Sequence, residues 1–95
     1  MNSMFYGCYG LVNLNVSSFD TSKVTNMDSM FSYSNVLVTI YTTDFSTSAV
    51  TSSTNMFEGC QSLVGGNVTT FNSSYIDATY ARIDNAETPG YFTQK

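Results

Sequence analysis

Apolar residues recur along the chain at a constant interval of 26 residues. Three Met-Phe pairs begin three units: Met4-Phe5, Met30-Phe31 and Met56-Phe57. Later positions repeat in the same phase, with leucine at the eighth position and phenylalanine at the sixteenth: Leu11, Leu37, Leu63 and Phe19, Phe45, Phe71. A fixed interval of this length indicates a repeat protein in which each unit packs against the next.

Within a unit, the spacing of apolar residues changes from a strand period to a helix period. Leu14 and Val16 alternate with polar residues, which predicts a short strand with one face directed inward. In the stretch TNMDSMF, Met27, Met30 and Phe31 are spaced by three and four residues, which predicts one stripe of a short helix. Each unit is therefore expected to contain a helix, a turn, a strand and a second turn.

The predicted helix has signals at both ends. Thr25, with Asp28 three residues later, resembles a capping box. Gly7 and Gly59 suit the left-handed turn that ends such a helix. The second unit has Tyr33 at that position, so either Tyr33 adopts a left-handed backbone at an energetic cost or the turn differs there.

One unit cannot bury its own apolar face, so stacking of the units must form the core. Equivalent leucines and equivalent phenylalanines are expected to form ladders, and the adaptable methionines to fill irregular gaps between units. The sequence thus predicts an α/β fold, a solenoid of about three 26-residue coils, each with a short strand and a short helix.

Two segments carry a resemblance to a known family. They are MFYGCYGLVNLNVSSFDTSKVTNMDS, from residue 4, and YARIDNAETPGYF, residues 80–92. The first resembles the repeat of leucine-rich-repeat surface proteins of the BspA type, and the second resembles the closing segment of such arrays. The resemblance implies a leucine-rich-repeat solenoid over residues 1–83, with units starting at 4, 30 and 56. A C-terminal cap would then occupy residues 84–95, with a turn at Pro89-Gly90 and an apolar cover at Tyr91-Phe92.

Composition excludes several functions. Seven acidic residues against three basic ones give 95 residues a net charge of -4, which argues against nucleic-acid binding. No apolar run is long enough to insert into a membrane. The chain has no histidine, and its carboxylates are scattered without metal-ligand spacing. We therefore expect no enzyme activity, no catalytic or metal-binding residues and no cofactor.

The two cysteines are expected to be free. Cys8 and Cys60 occupy the same position in the first and third units, with Ser34 between them. Two stacked coils separate their Cα atoms by about 9 to 10 Å, beyond the limit of about 7 Å for a disulfide. They are interpreted as small apolar side chains.

The outward face of the predicted strands is the candidate ligand-binding surface. It is uncharged, and its hydrogen-bonding groups surround one central aromatic residue; the candidate ligand-binding residues are Asn13, Asn15, Thr39, Tyr41, Asn67 and Thr69. An ordinary solvated sheet face would have the same polar character. A second candidate patch consists of Tyr6, Tyr9 and Tyr33.

The leading functional hypothesis is a non-catalytic binding or adhesion module. The family resemblance implies an extracellular protein on a bacterial cell surface that binds a host or cell-surface protein, or a glycan. A passive spacer and a glycan-binding accessory region are the alternatives. Met1 aligns with Met27, inside a unit, so the chain is expected either to be part of a longer array or to lack an N-terminal cap. Either case predicts self-association through the open first coil.

Overall fold

Three short strands form one parallel sheet in a computed structural model that describes residues 3–95. They are β1 (Asn13–Asn15), β2 (Thr39–Thr42) and β3 (Phe92–Gln94), in the order β1-β2-β3. A 3-10 helix spans Ala78–Tyr80, and the described residues contain no α-helix. Consequently, no helix in this range is long and apolar enough to cross a membrane.

The first two strands pair with an offset of 26 residues. Leu14 lies opposite Ile40, and Asn15 lies opposite Tyr41. The parallel pairing continues past β1, where the Val16 amide donates to the Tyr41 carbonyl at 2.9 Å. The interval found in the sequence is therefore the register in which the first two units pair.

The third strand does not come from the third unit, contrary to the expectation of three equivalent coils. Ile40 pairs with Phe92 of β3, whereas its equivalent in the third unit is Gly66. Gly66 has no side chain to bury, but Phe92 is fully buried. A Cβ atom at Gly66 would lie 3.2 Å from Thr93 Cγ2, so the glycine leaves room for β3 to pass close by. The C-terminal segment therefore supplies the apolar side chain that the third unit lacks at this position.

The predicted helices are also wrong, because this part of each unit is a series of turns. Alternate amides donate to the following unit instead of to the same turn: Ser29 to Thr54 at 2.9 Å, Phe31 to Met56 at 2.8 Å and Tyr33 to Glu58 at 2.6 Å. The intervening Ser32 amide closes a local turn on Ser29 at 3.1 Å. An α-helix would direct all of these amides to carbonyls four residues earlier in its own chain. Spacing by three and four residues is satisfied equally by these turns.

Asp28 does not form the predicted capping box. Its Oδ1 accepts hydrogen bonds from the Ser52 hydroxyl at 2.6 Å and from the Thr54 amide at 2.8 Å, both in the following unit. Its own amide donates to Asn26 Oδ1 at 2.9 Å. Asp28 therefore joins two units instead of capping a helix. The lack of α-helix in residues 3–95 and the origin of β3 together overturn the α/β solenoid of three coils, each with a strand and a helix.

The core is built around a stack of phenylalanines. The rings of Phe5 and Phe31 lie 5.5 Å apart at 6°, and those of Phe31 and Phe57 lie 5.3 Å apart at 8°. Tyr91 meets Phe57 edge to face at 5.0 Å at the end of the stack. The rings predicted to form a ladder pack against other aromatic residues: Phe19 against Phe5, Phe45 against Phe92 and Phe71 against Tyr91. The methionines fill the core at positions 27, 30 and 56, where all three are fully buried.

The first unit is less buried than the second. Met4 is 50% exposed, whereas its equivalent Met30 is fully buried. Self-association through this surface stays a prediction, and a monomer in sedimentation experiments at high concentration would contradict it.

Met1 lies outside the described residues. The proposed boundary between residues 83 and 84 also stays a prediction.

Candidate functional site

Four of the six predicted strand-face residues lie together on β1 and β2. Asn13 and Asn15 are exposed, Thr39 is half-buried and Tyr41 is 37% exposed. Asn13 lies opposite Thr39, and Asn15 lies opposite Tyr41. On its other side Tyr41 pairs with Thr93 of β3, which the sequence did not identify.

Asn67 and Thr69 do not continue this face, because they lie in a turn bound to Asp84. Asp84 Oδ2 accepts from the Asn67 amide at 2.8 Å and from the Thr69 amide at 3.0 Å. Asp84 Oδ1 accepts from the Thr69 hydroxyl at 2.7 Å and from the Gly90 amide at 3.2 Å. These contacts hold the third unit against the C-terminal segment. A role of Asn67 and Thr69 in ligand binding stays a prediction.

The environment of Asp84 favours the ionised carboxylate. Burial acts to raise its pKa, but the hydrogen bonds from Thr69, Gly90 and Asn67 outweigh burial and lower the pKa below its ordinary value of 3.8. Since Asp84 is only 7% exposed, loss of this charge would weaken these hydrogen bonds where little water is available to replace them. Asp84 is therefore interpreted as a structural residue.

Tyr33 has a backbone conformation that the other units assign to glycine. Its φ is 61°, and φ is 65° at Gly7 and 77° at Gly59, which occupy the same position in the first and third units. A left-handed backbone is unfavourable for a residue with a Cβ atom. Of the two alternatives that the sequence left open, the structure thus shows the left-handed backbone at Tyr33, although the turn does not end a helix.

The following unit supports the Tyr33 ring. A Cβ atom at Gly59 would lie 2.7 Å from Tyr33 Cδ1, so only glycine accommodates the ring in this position. The Tyr6 ring meets Tyr33 edge to face at 5.6 Å and 78°. Tyr33 nevertheless remains 42% exposed, while Tyr6 and Tyr9 are 50% and 64% exposed. Of the three rings in the tyrosine patch predicted from the sequence, the Tyr33 ring is therefore the most constrained.

A cleft of about 350 Å³ begins at Tyr33 and runs along the third unit. Its lining combines aromatic, apolar and polar side chains with one carboxylate: Tyr33, Glu58, Gly59, Gln61, Phe71, Ser73 and Ile76. The negative charge of Glu58 raises the pKa of the Tyr33 phenol. The phenol is neutral at physiological pH even at its ordinary pKa of 10.0, so it can donate a hydrogen bond. We call this site the Tyr33 cleft.

The Cys60 thiol has a structural contact. The buried Cys60 thiol donates to the Phe31 carbonyl at 2.8 Å, and the Ser34 hydroxyl donates to the equivalent Phe5 carbonyl, also at 2.8 Å. Burial raises the pKa of Cys60 to about 12, so its reactive thiolate is scarce at neutral pH. Cys8 and Cys60 are both free. In residues 3–95, no cluster of three acidic, cysteine or histidine side chains could hold a metal ion.

Family membership comes from the sequence comparison. Residues 1–91 match the family described as "Mycoplasma protein of unknown function, DUF285". Because the match covers nearly the whole chain, the protein belongs to this family. No curated protein and no solved structure matches it. Membership is consistent with a bacterial protein but does not establish the resemblance to BspA-type leucine-rich-repeat proteins.

Proposed function

We propose that this protein is a non-catalytic binding module at a bacterial cell surface, and that it recognises a partner protein through the Tyr33 cleft. The main observation is the left-handed backbone of Tyr33 where both other units have glycine. Unfavourable backbone conformations persist where the surrounding structure imposes them, and they concentrate at functional sites. Here the unfavourable backbone presents an exposed tyrosine ring, a residue type enriched in interface anchors.

A passive spacer is less consistent with this arrangement. A spacer requires only that units stack, and glycine at position 33 would meet that requirement without backbone strain, as Gly7 and Gly59 do. The Tyr33 ring instead lies over Gly59, beside a cleft that contains Glu58 and Gln61. The ring and the cleft together support ligand binding.

The proposal is tested by comparing two variants that relieve the same backbone conformation at different places. Tyr33→Gly restores the glycine of the other units and removes the ring. Val68→Gly is the matched control, because Val68 is 75% exposed with φ of 67° and does not line the cleft. Each melting temperature is expected to stay within about 5 °C of the unmodified protein, because relief of the backbone strain offsets the loss of side-chain packing.

The purified proteins are then compared for binding to a panel of extracellular-matrix proteins and oligosaccharides. We expect the unmodified protein and Val68→Gly to bind the same protein on the panel, and Tyr33→Gly to lose that binding. Equal binding by Tyr33→Gly and the unmodified protein would refute the cleft as the site. If neither the protein nor its variants bound any panel member, a spacer would be the better interpretation.

A second candidate function is glycan binding by the face of β1 and β2. Tyr41 is partly exposed between Asn15 and Thr93, so an aromatic surface has polar neighbours on both sides. Tyr41→Ala is included in the same panel. Oligosaccharide binding that is lost in Tyr41→Ala but retained in Tyr33→Gly would favour this second function.

A further inference from the structure

We propose that the Tyr33 cleft binds an arginine side chain of the partner protein. This inference rests on the proposed function and specifies the chemistry of the partner. The relevant features are one carboxylate without a cation among the cleft residues, an exposed aromatic ring and neutral polar groups around them. A planar cation is complementary to all three features.

The electrostatics of the cleft favour a cation. Glu58 is its carboxylate, and neither lysine nor arginine is among the lining residues. The chain has only three basic residues against seven acidic ones, and Arg82 already donates from Nε to the Pro89 carbonyl at 2.8 Å. The net charge of -4 adds a long-range attraction for a basic partner.

The aromatic ring favours a planar cation in particular. Guanidinium groups stack on tyrosine faces more often than ammonium groups do. The chain itself makes such a contact, with the Arg82 guanidinium carbon 5.5 Å from the centre of the Tyr80 ring. Tyr33 presents an exposed ring held by Gly59 and Tyr6, so its orientation is set before a ligand binds. An arriving guanidinium could stack on this ring and pair with Glu58.

The remaining cleft residues suit the length of an arginine side chain. Phe71 and Ile76 are half-buried and offer apolar surface to its methylene groups. Gln61 is exposed and provides an amide oxygen that can accept from a guanidinium N–H, and Ser73 provides a hydroxyl. A sugar could also stack on Tyr33, but being neutral it would gain no charge pairing from Glu58.

The experiment uses glycine-flanked tripeptides with blocked ends, whose central residue is arginine, citrulline or lysine. Citrulline is nearly isosteric with arginine but uncharged. Dissociation constants are measured by NMR titration of the 15N-labelled full chain at low and high salt. We expect the arginine peptide to bind at least about tenfold more tightly than the citrulline peptide, with binding weakened by salt. The lysine peptide is expected to fall between them, because it retains charge without the planar group.

Two substitutions test the residues involved. Glu58→Gln should weaken arginine-peptide binding by about tenfold, as expected for loss of a charge-assisted hydrogen bond. Glu87→Gln is the matched control, since Glu87 is exposed, does not line the cleft and gives the same change in net charge. Tyr33→Phe should retain binding, whereas Tyr33→Gly should lose it. Circular dichroism verifies that each variant is folded.

The outcomes separate this inference from the proposed function. Equal binding of the arginine and citrulline peptides, or equal weakening by Glu58→Gln and Glu87→Gln, would overturn the arginine inference. If binding of the panel partner still required Tyr33, the proposed function would stand even though the arginine inference had been overturned. Salt-independent binding of an oligosaccharide that displaces the arginine peptide would identify a neutral sugar as the preferred ligand and overturn the inference.

Discussion

Replacing Asp84 with asparagine should destabilise the fold by about 3 kcal/mol, an estimate based on hydrogen bonds to a charged acceptor. Each Asp84 carboxylate oxygen accepts two hydrogen bonds, so the side chain has four donors from three residues. Asparagine retains one of the two oxygens. The other becomes an NH2 group that faces the donors which the lost oxygen accepted, and there is little solvent to replace it because residue 84 is 7% exposed.

Asparagine cannot accept two of the four hydrogen bonds that Asp84 accepts. A hydrogen bond to a charged group contributes about 1.5 to 3 kcal/mol, and local relaxation recovers part of the loss. About 3 kcal/mol is a large fraction of the 5 to 15 kcal/mol that stabilises a typical domain. The turn containing Asn67 and Thr69 should therefore separate from the C-terminal segment in the variant.

Urea denaturation followed by circular dichroism measures the effect at pH 7. Asp20→Asn is the matched control: Asp20 is exposed and accepts from the Ser22 amide at 3.0 Å, and the third unit makes the same turn with Asn72. We expect little change in the control. A shift in Asp84→Asn as small as that in Asp20→Asn would refute the interpretation that Asp84 holds the third unit to the C-terminal segment.

The pH dependence gives a second test of Asp84. Its pKa is lowered in the folded protein, so the ionised carboxylate contributes stability above the ordinary pKa of 3.8, and this contribution is lost as the pH falls through the folded pKa. Asp84→Asn lacks this contribution. The difference in stability between the two proteins should therefore narrow as the pH falls below about 3.8. A difference that stays constant over this range would contradict the assignment.

Burial and packing predict the effects of two further substitutions and of one chemical modification. Thr42→Val should raise the free energy of unfolding by about 1 kcal/mol in urea denaturation, since Thr42 Oγ1 is buried without a hydrogen-bond partner among the described residues. A thiol reagent at pH 8 should modify the buried Cys60 at least about tenfold more slowly than Cys8 in the folded protein, and both equally in denaturant. Gly65→Ala should lower the free energy of unfolding by at least about 2 kcal/mol, because its Cβ would clash with the Gly90 carbonyl oxygen. Gly10→Ala, with no atom within 4 Å of the added Cβ, is its control.

The following results would contradict the predictions for Thr42, the two thiols and Gly65. Destabilisation by Thr42→Val would show that the hydroxyl has a partner in solution. Equal labelling of the two thiols in the folded protein would contradict the burial of Cys60. Equal stability of Gly65→Ala and Gly10→Ala would contradict the close approach of Gly65 to the C-terminal segment.

The sequence predicted the pairing of the first two units but not the origin of the third strand. Repetition of apolar positions was sufficient to place Leu14 opposite Ile40. Gly66 marked the loss of a core residue in the third unit, but the sequence could not show that Phe92 would replace it. That replacement depends on the pairing of Ile40 with Phe92, two residues far apart in the chain, and no local pattern reports such a contact.

The helix prediction failed because side-chain spacing does not report where backbone amides point. Met27, Met30 and Phe31 face the core as expected, but Ser29 has φ of 55°, which an α-helix excludes. The candidate site was visible in part, since Tyr33 stands out where the other units have glycine. Its cleft could not be predicted, because Phe71 joins Tyr33 only through the fold of the third unit.

The most direct test of the proposed function is an NMR titration of the 15N-labelled protein with the partner identified on the binding panel. Recognition through the Tyr33 cleft predicts that the amide signals of Gly59 and Gln61 shift first and most, while those of Asn15 and Tyr41 stay in place. The largest shifts at Asn15 and Tyr41, with Gly59 unchanged, would contradict the account and place binding on the strand face.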